Sequence, residues 1–343
     1  MKKMLALLLA LVMVLSLAAC ASSQPATTDA AASTETAETT ETTETTEPAA
    51  EESAEAPAES GKTYTVGVCQ LVQHEALDAA TQGFVDALKE ELGDAVTVGV
   101  QNASGDSVNC GTIVNGFVSE GVDLIMANAT PALTAAVSAT ADIPILGTSI
   151  TAYGVALDID DFNGTVGGNV SGTSDLADLQ AQAQMILDWF PETKTVGLLF
   201  CSAEPNSRYQ IDEVRKALEA QGVTCEEFAF TDSNDVSSVT QKAADFSDVV
   251  YIPTDNTAAS NTEAIANVLI PAGVPAVCGE EGLCRGCGVA TLSISYYDLG
   301  VTTGKMAAKI LKGEADISTM PVEYTDATPK YNASVCEQLG ITP

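Results

Sequence analysis

Asp255 lies three residues beyond Ile252, the end of an apolar run, with Asn256 and Thr257 beside it. A carboxylate placed just past a strand and just before a helix can accept charge-assisted hydrogen bonds from a ligand ammonium, and such bonds strengthen in a closed, dry site. Capping the helix that follows is the competing role. Thr130 and the pair Asn206–Ser207 hold matching places after other apolar runs. Free backbone N–H groups and the positive end of the helix dipole there favour an anion such as an α-carboxylate, and capping competes again. This is binding chemistry for a small polar molecule. The 343 residues contain one histidine, His74, and no Gly-x-Ser-x-Gly elbow, Gly-rich phosphate loop or His-Glu-x-x-His site. No catalytic constellation follows from that inventory, and we expect no enzyme, no cofactor and no metal.

The elements that must position these residues alternate along the chain. Strands are expected at 64–71, 95–100, 123–127 and 143–146, with helices at 76–92, 108–119 and 131–139 between them. A Gly-rich stretch covers 151–172. The alternation then restarts with a helix at 176–189, strands at 195–200, 224–230, 249–252, 276–278 and 289–294, and helices at 209–220, 236–246 and 262–269. An amphipathic helix at 296–311 follows, then a short strand, a turn at Pro329 and a final helical turn. Such a repeated series predicts an α/β protein of two Rossmann-like lobes with parallel sheets. We expect lobe 1 to span 62–170 plus about 295–319, and lobe 2 to span 171–294 plus about 320–343. A multi-stranded hinge would cross near 165–174, 293–295 and 320. Ligands of open α/β sheets bind beyond the carboxyl ends of the strands, so two such edges facing each other make a cleft.

Ahead of these lobes, Lys2 and Lys3 precede an apolar run from Leu5 to Leu17, which reads as an export signal over 1–19. The run is too short for a permanent membrane span. It ends Leu17-Ala18-Ala19-Cys20, which resembles a bacterial lipobox and implies a lipid on Cys20 holding the protein at the extracytoplasmic face of the cell membrane. Residues 20–61 then form an acidic Thr/Glu/Ala tether that cannot bury enough apolar surface to fold. Ten of the 47 acids lie in 21–60 and two of the 14 bases are Lys2 and Lys3, so residues 61–343 keep a net charge of −25. A body that acidic repels phosphate backbones, and nucleic acid is excluded as a partner.

The ordered motifs identify a family. They are His74-Glu75-Ala76-Leu77-Asp78-Ala79-Ala80, Ala129-Thr130-Pro131-Ala132, Gly168-Asn169-Val170-Ser171-Gly172, Asn206-Ser207, Ser233-Asn234-Asp235-Val236, Pro253-Thr254-Asp255-Asn256-Thr257, Gly279-Glu280-Glu281-Gly282 and Tyr296-Tyr297-Asp298-Leu299-Gly300. In this order the chain, over roughly 63–343, resembles the ABC substrate-binding proteins of the tryptophan/tyrosine-transporter type, with a periplasmic-binding-protein type I fold. The resemblance implies capture of a small polar solute, foremost an amino acid and in some members an aromatic one, by hinge closure, and delivery to a separate permease and its ATPase. A surface receptor that senses its ligand without transport would use the same cleft. The family pattern also suggests that Gln73, His74 and Glu75 line the cleft, with Thr130 and Pro131, Ser174 and Asp175, Asn206 and Ser207, Asp255 to Thr257, and Glu280 as further candidates. Trp189 is expected in the core of lobe 2, and one of Tyr296 and Tyr297 at the cleft. Cys284-Arg285-Gly286-Cys287 departs from the family pattern. A local disulfide or unpaired thiols suit it better than a metal site, which would want a second such pair or a histidine pair, or than a redox motif, which would want a thioredoxin-like strand-to-helix setting. Cys69, Cys201, Cys225 and Cys278 fall in expected strands, where a free thiol packs as a small apolar group.

Overall fold

The computed structural model describes residues 61–343; Cys20, the export signal and almost all of the tether lie outside the described residues. One sheet takes β1 (Tyr64–Gln70), β2 (Val96–Asn102), β3 (Leu124–Asn128), β4 (Ile145–Ile150) and β5 (Val170–Ser174). Its connections hold α1 (Glu75–Leu92), α2 (Ser107–Glu120), α3 (Thr130–Ala139) and the short α4 (Tyr153–Ala156). A second sheet takes β6 (Thr195–Cys201), β7 (Thr224–Phe230), β8 (Val249–Ile252), β9 (Ala276–Cys278) and β10 (Ala290–Ser293). Helix α5 (Leu179–Trp189) leads into it, and α6 (Pro205–Glu219), α7 (Val236–Phe246), α8 (Asn256–Ala259), α9 (Thr262–Ala272) and α10 (Glu281–Cys287) connect its strands. The chain returns to the first lobe through α11 (Tyr296–Leu311) and β11 (Glu323–Tyr324), then finishes on the second with β12 (Thr328–Tyr331) and α12 (Ala333–Leu339).

Both sheets share the strand order 2-1-3-4-5, and every pairing is parallel except that of β12 with β10. The order reverses between β1 and β3 and again between β6 and β8, which places a crevice at the carboxyl ends of those strands. Parallel strands are covered on both faces and so read as near-continuous apolar runs, as Leu-Ile-Met-Ala in β3 and Val-Val-Tyr-Ile in β8 do. Each lobe accordingly has an apolar layer on either side of its sheet. Ile125, Val114 and Leu133 lie on one side of the first sheet, and Val68, Phe84, Met126 and Met306 on the other.

Three crossings join the lobes, after Ser174, at 294–295 and between Tyr324 and Thr328. Strands β5 and β11, which the expected lobe boundaries at 170/171 and 319/320 put almost wholly in the second lobe, both belong to the first sheet. Pro329 sits within β12 and not in a turn, because an edge strand tolerates a residue without an N–H. Helices α1 and α11 approach so closely that a Cβ on Gly300 would lie 2.0 Å from the Ala80 carbonyl oxygen, and one on Gly83 would lie 2.1 Å from that of Tyr297. That contact sets His74, at the start of α1, near Tyr296, at the start of α11. No helix among the described residues is long and apolar enough to cross a membrane.

Candidate functional site

His74, Leu77, Ser149, Thr151, Asp175, Asn206, Thr254, Asp255, Asn256, Ala259, Glu280 and Tyr296 enclose a small space between the lobes, with a cavity volume of about 10 Å³. All but Ala259, the last residue of α8, lie at or just beyond the carboxyl end of a strand or at the start of a helix, where the topology puts the crevice. Such a volume holds no more than about one water molecule, so an organic solute fits there only when the lobes part. Outside it, a wider cleft opens between Val72, Gly105 and Pro131 of the first lobe and Glu204, Ser233 and Thr257 of the second.

Second-lobe acids dominate the electrostatics. Asp255 caps α8 through Oδ1, which accepts from the Ala258 N–H at 2.8 Å, while Oδ2 accepts from the Cys201 N–H at 2.6 Å and so ties the ends of β6 and β8 together. Glu204 precedes α6 but caps α8 instead, accepting from the N–H groups of Asn256 and Thr257 at 3.0 and 2.9 Å and from their side chains at 2.7 and 2.8 Å. Glu280 caps α10 through the N–H groups of Gly282 and Leu283. Burial, with the neighbouring Glu204 charge, pushes the Asp255 carboxyl up to about 8, and burial pushes Glu280 up to about 7. No lysine or arginine lines the enclosed space.

The first lobe and the crossing contribute differently. Asp175 accepts from the Tyr296 hydroxyl at 2.8 Å through Oδ2, and its Oδ1 has no partner. Burial raises its carboxyl above the ordinary range. Ser149 lies at an irregularity of β4 with φ of 56°, a conformation rare for a residue with a side chain, and its hydroxyl is unpartnered. His74 bonds through Nε2 to Asn256 Oδ1 of the other lobe at 3.2 Å, and its Nδ1 is unpartnered. Burial lowers its pKa despite Asn256, Glu204 and Asp78 nearby. With Asn206 Oδ1 the unpartnered, buried polar atoms on this space number four, whereas such atoms are uncommon in a folded protein.

Of the residues singled out in the sequence, the structure brings together His74, Asp175, Asn206, Asp255, Asn256 and Glu280 on the enclosed space. Pro131 and Thr257 line the outer cleft. Gln73 and Glu75 line an outer groove with Arg285, whose guanidinium pairs with Glu75 at 2.5 Å across the lobes. Thr130 is buried at the start of α3, Ser207 is buried in α6, and Ser174 spends its hydroxyl on the Thr151 carbonyl. None of these three lines the enclosed space. Trp189 packs at the edge of the second-lobe core beside Tyr331, away from the cleft, and Tyr296 rather than Tyr297 enters the site. The eight described cysteines are free thiols, Cys284 and Cys287 among them. No group of three or more His, Cys, Asp or Glu among the described residues is arranged to hold a metal.

Glu204 and Ser149 escaped the sequence reading. Pro205 was the available signal for the first, since proline favours the first position of a helix and marks the residue before it as a cap. Ser149 gave none, because its role depends on a backbone irregularity.

Residues 65–343 match the family model of the ABC transporter substrate binding protein. A tyrosine-binding protein of Clostridioides difficile (strain R20291) is 32% identical over 276 residues, which is 79% of each chain. The crystal structure of an ABC domain in complex with L-Trp from Streptococcus pneumonia is 33% identical, with a TM-score of 0.78 over 82% of this chain and 96% of that one. A ligand-free, open structure of a substrate binding protein with adhesive properties from Clostridium difficile is 34% identical over the same shares, but its TM-score is 0.63. At nearly the same identity, the present structure superposes better on the ligand complex than on the open form. The fold is that of the periplasmic-binding-protein type I substrate-binding proteins, and the chain belongs to the ABC transporter substrate binding protein family.

Proposed function

We propose that the chain is the extracytoplasmic receptor of an ABC importer for an aromatic α-amino acid. The solute enters the open cleft, the lobes close on it, and the closed form docks on a membrane permease driven by its ATPase. In this reading residues 1–19 are the export signal, a lipid on Cys20 holds the protein at the membrane, and the tether spaces the lobes from it. The observation that carries the ligand class is the set of unpartnered atoms on the enclosed space, where Asp175 Oδ1 offers a bare carboxylate oxygen to an ammonium and no basic side chain competes for it. The names of the L-Trp complex and of the tyrosine-binding relative support the same class. Such a receptor binds and releases without chemistry.

The test is thermal unfolding of the full chain, stripped of co-purified solute, against amino acids, peptides, sugars and nucleosides. A ligand at 100 times its dissociation constant stabilises by about 2.7 kcal/mol, a shift of several degrees. We expect a selective shift with an aromatic amino acid. A shift with a sugar or nucleoside and with no amino acid would remove the ligand assignment.

A further inference from the structure

Strand β2 forms the outer edge of the first sheet, and among the described residues only β1 pairs with it. The Ala103 N–H donates inward to the Gln70 carbonyl at 2.9 Å. The alternation along a strand then turns the backbone of Thr97, Gly99 and Gln101 toward β1 and that of Val96, Val98, Val100 and Asn102 outward. One face of the strand is open as well. Phe117 of α2 covers Gly67 of β1, where a Cβ would lie 2.5 Å from its ring, but a Cβ on Gly99, the register partner of Gly67, would meet nothing within 4 Å.

Exposed edges are usually blunted by charge. The matching edge strand of the second sheet, β7, is protected in this way by Glu226 and Glu227, the latter paired with Arg208 and Arg215. Strand β2 carries no charge, and neither do the exposed Val108, Thr112, Asn115 and Ser119 of the helix that follows it. With a net charge of −25 on residues 61–343, two copies of this chain repel wherever their acids face each other, and this uncharged stretch is where they can meet.

The order of residues on the strand suits that partner. Val98-Gly99-Val100 reads the same in both directions, with the polar Thr97 and Gln101 on either side. Antiparallel pairing about a twofold axis through Gly99 sets Val98 against Val100 of the second copy, both with outward backbones and so hydrogen-bonded, and Thr97 against Gln101. The closest approach, on the axis, falls on the residue without a side chain.

We infer that two copies of the chain associate through β2, joining their first-lobe sheets into one across a twofold axis at Gly99. The contact uses first-lobe residues alone, so lobe closure proceeds within the pair, and it is independent of which solute the cleft takes. Two seven-residue strands bury less than the roughly 1,200 Å² of a stable interface, and the association is reversible.

The experiment is sedimentation velocity of the full chain at concentrations up to about 1 mM, where weak pairs form. We expect a monomer–dimer equilibrium that tightens as added salt screens the net charge. Gly99→Lys and Gly99→Asp, whose side chains enter open space in the monomer, should each weaken association at least about fivefold, and an equimolar mixture of the two should restore it. A monomer at every concentration and salt, or a dimer that both variants leave unchanged, overturns the inference. Should the variants fail to fold, hydrogen exchange of the wild type decides. The outward amides of β2 should exchange freely in dilute protein and slow as concentration rises, whereas protection in the dilute monomer would mean that the chain covers its own edge, which also overturns the inference.

Discussion

The acids of the two lobes around the enclosed space are buried to opposite ends, although the second lobe also keeps one unpartnered atom, Asn206 Oδ1. On the second lobe, Glu204, Asp255 and Glu280 are each at most 5% exposed, yet each carboxylate is occupied by N–H groups of the short helices α8 and α10 or of β6. On the first lobe and its crossing, Ser149 and Asp175 are as deeply buried but keep an atom unsatisfied, and His74 does likewise. Satisfied buried carboxylates hold a local fold together, whereas unsatisfied ones cost free energy until a ligand arrives. Burial and charge alone do not tell a recognising acid from a structural one, but the count of partners does.

The sharpest way to break this comparison is Glu204→Ala. It strands the donors of Asn256 and Thr257, and we expect a loss of about 3–5 kcal/mol in unfolding free energy, read from the denaturant midpoint. Next comes Asp175→Asn, which should weaken the amino-acid ligand by about 1.5–3 kcal/mol in calorimetry while folding stability holds or rises. If Asp175→Asn costs as much folding stability as Glu204→Ala, the two walls are not different.

A pH series tests the second-lobe acids together. Asp255 at about 8 and Glu280 at about 7 stand above the ordinary carboxylate value near 4, so the folded chain holds more protons than the unfolded one between those limits. Their contribution is complete at low pH and is lost as pH rises through 7 and 8. Between about pH 7 and pH 8.5 the ligand-free protein should lose at least about 1–2 kcal/mol from these two carboxyls, and the thiols of Cys201, Cys225 and Cys284, which burial also pushes up, add to the loss. An ammonium ligand, which replaces the lost protons as counter-charge, should bind more tightly across the same window. A flat profile would place these carboxyls in the ordinary range. The smallest effect is expected from Arg285→Ala. The Arg285–Glu75 pair joins the lobes but is more than half exposed on the arginine side, so ligand affinity should drop by less than about 1 kcal/mol, and only at low salt.

The sequence shows the two strand series plainly, because buried parallel strands are apolar throughout. It also brings Asp255, Asn206 and Glu280 to the rim, because a polar residue just after such a run has few other places to be. Strand β5 was hidden by its composition. Val170-Ser-Gly-Thr-Ser is wholly buried but nearly devoid of apolar signal, and Gly172, at φ 143°, runs so close to β4 that a Cβ would meet the Gly147 carbonyl at 2.0 Å. Glu204 was hidden by distance, since the groups it holds lie more than 50 residues further along the chain. Pairing across such separations leaves no local pattern to read.

The approach of α1 to α11 through Gly83 and Gly300 leaves no side chain between the two backbones to rearrange. Whatever moves the histidine-bearing end of α1 must carry with it the tyrosine-bearing end of α11, and with that tyrosine the carboxylate it holds. The separation of the His74 and Tyr296 backbones is then set by helix packing. In the proposed receptor the first lobe is then a rigid wall, and any adjustment to a ligand falls to the second.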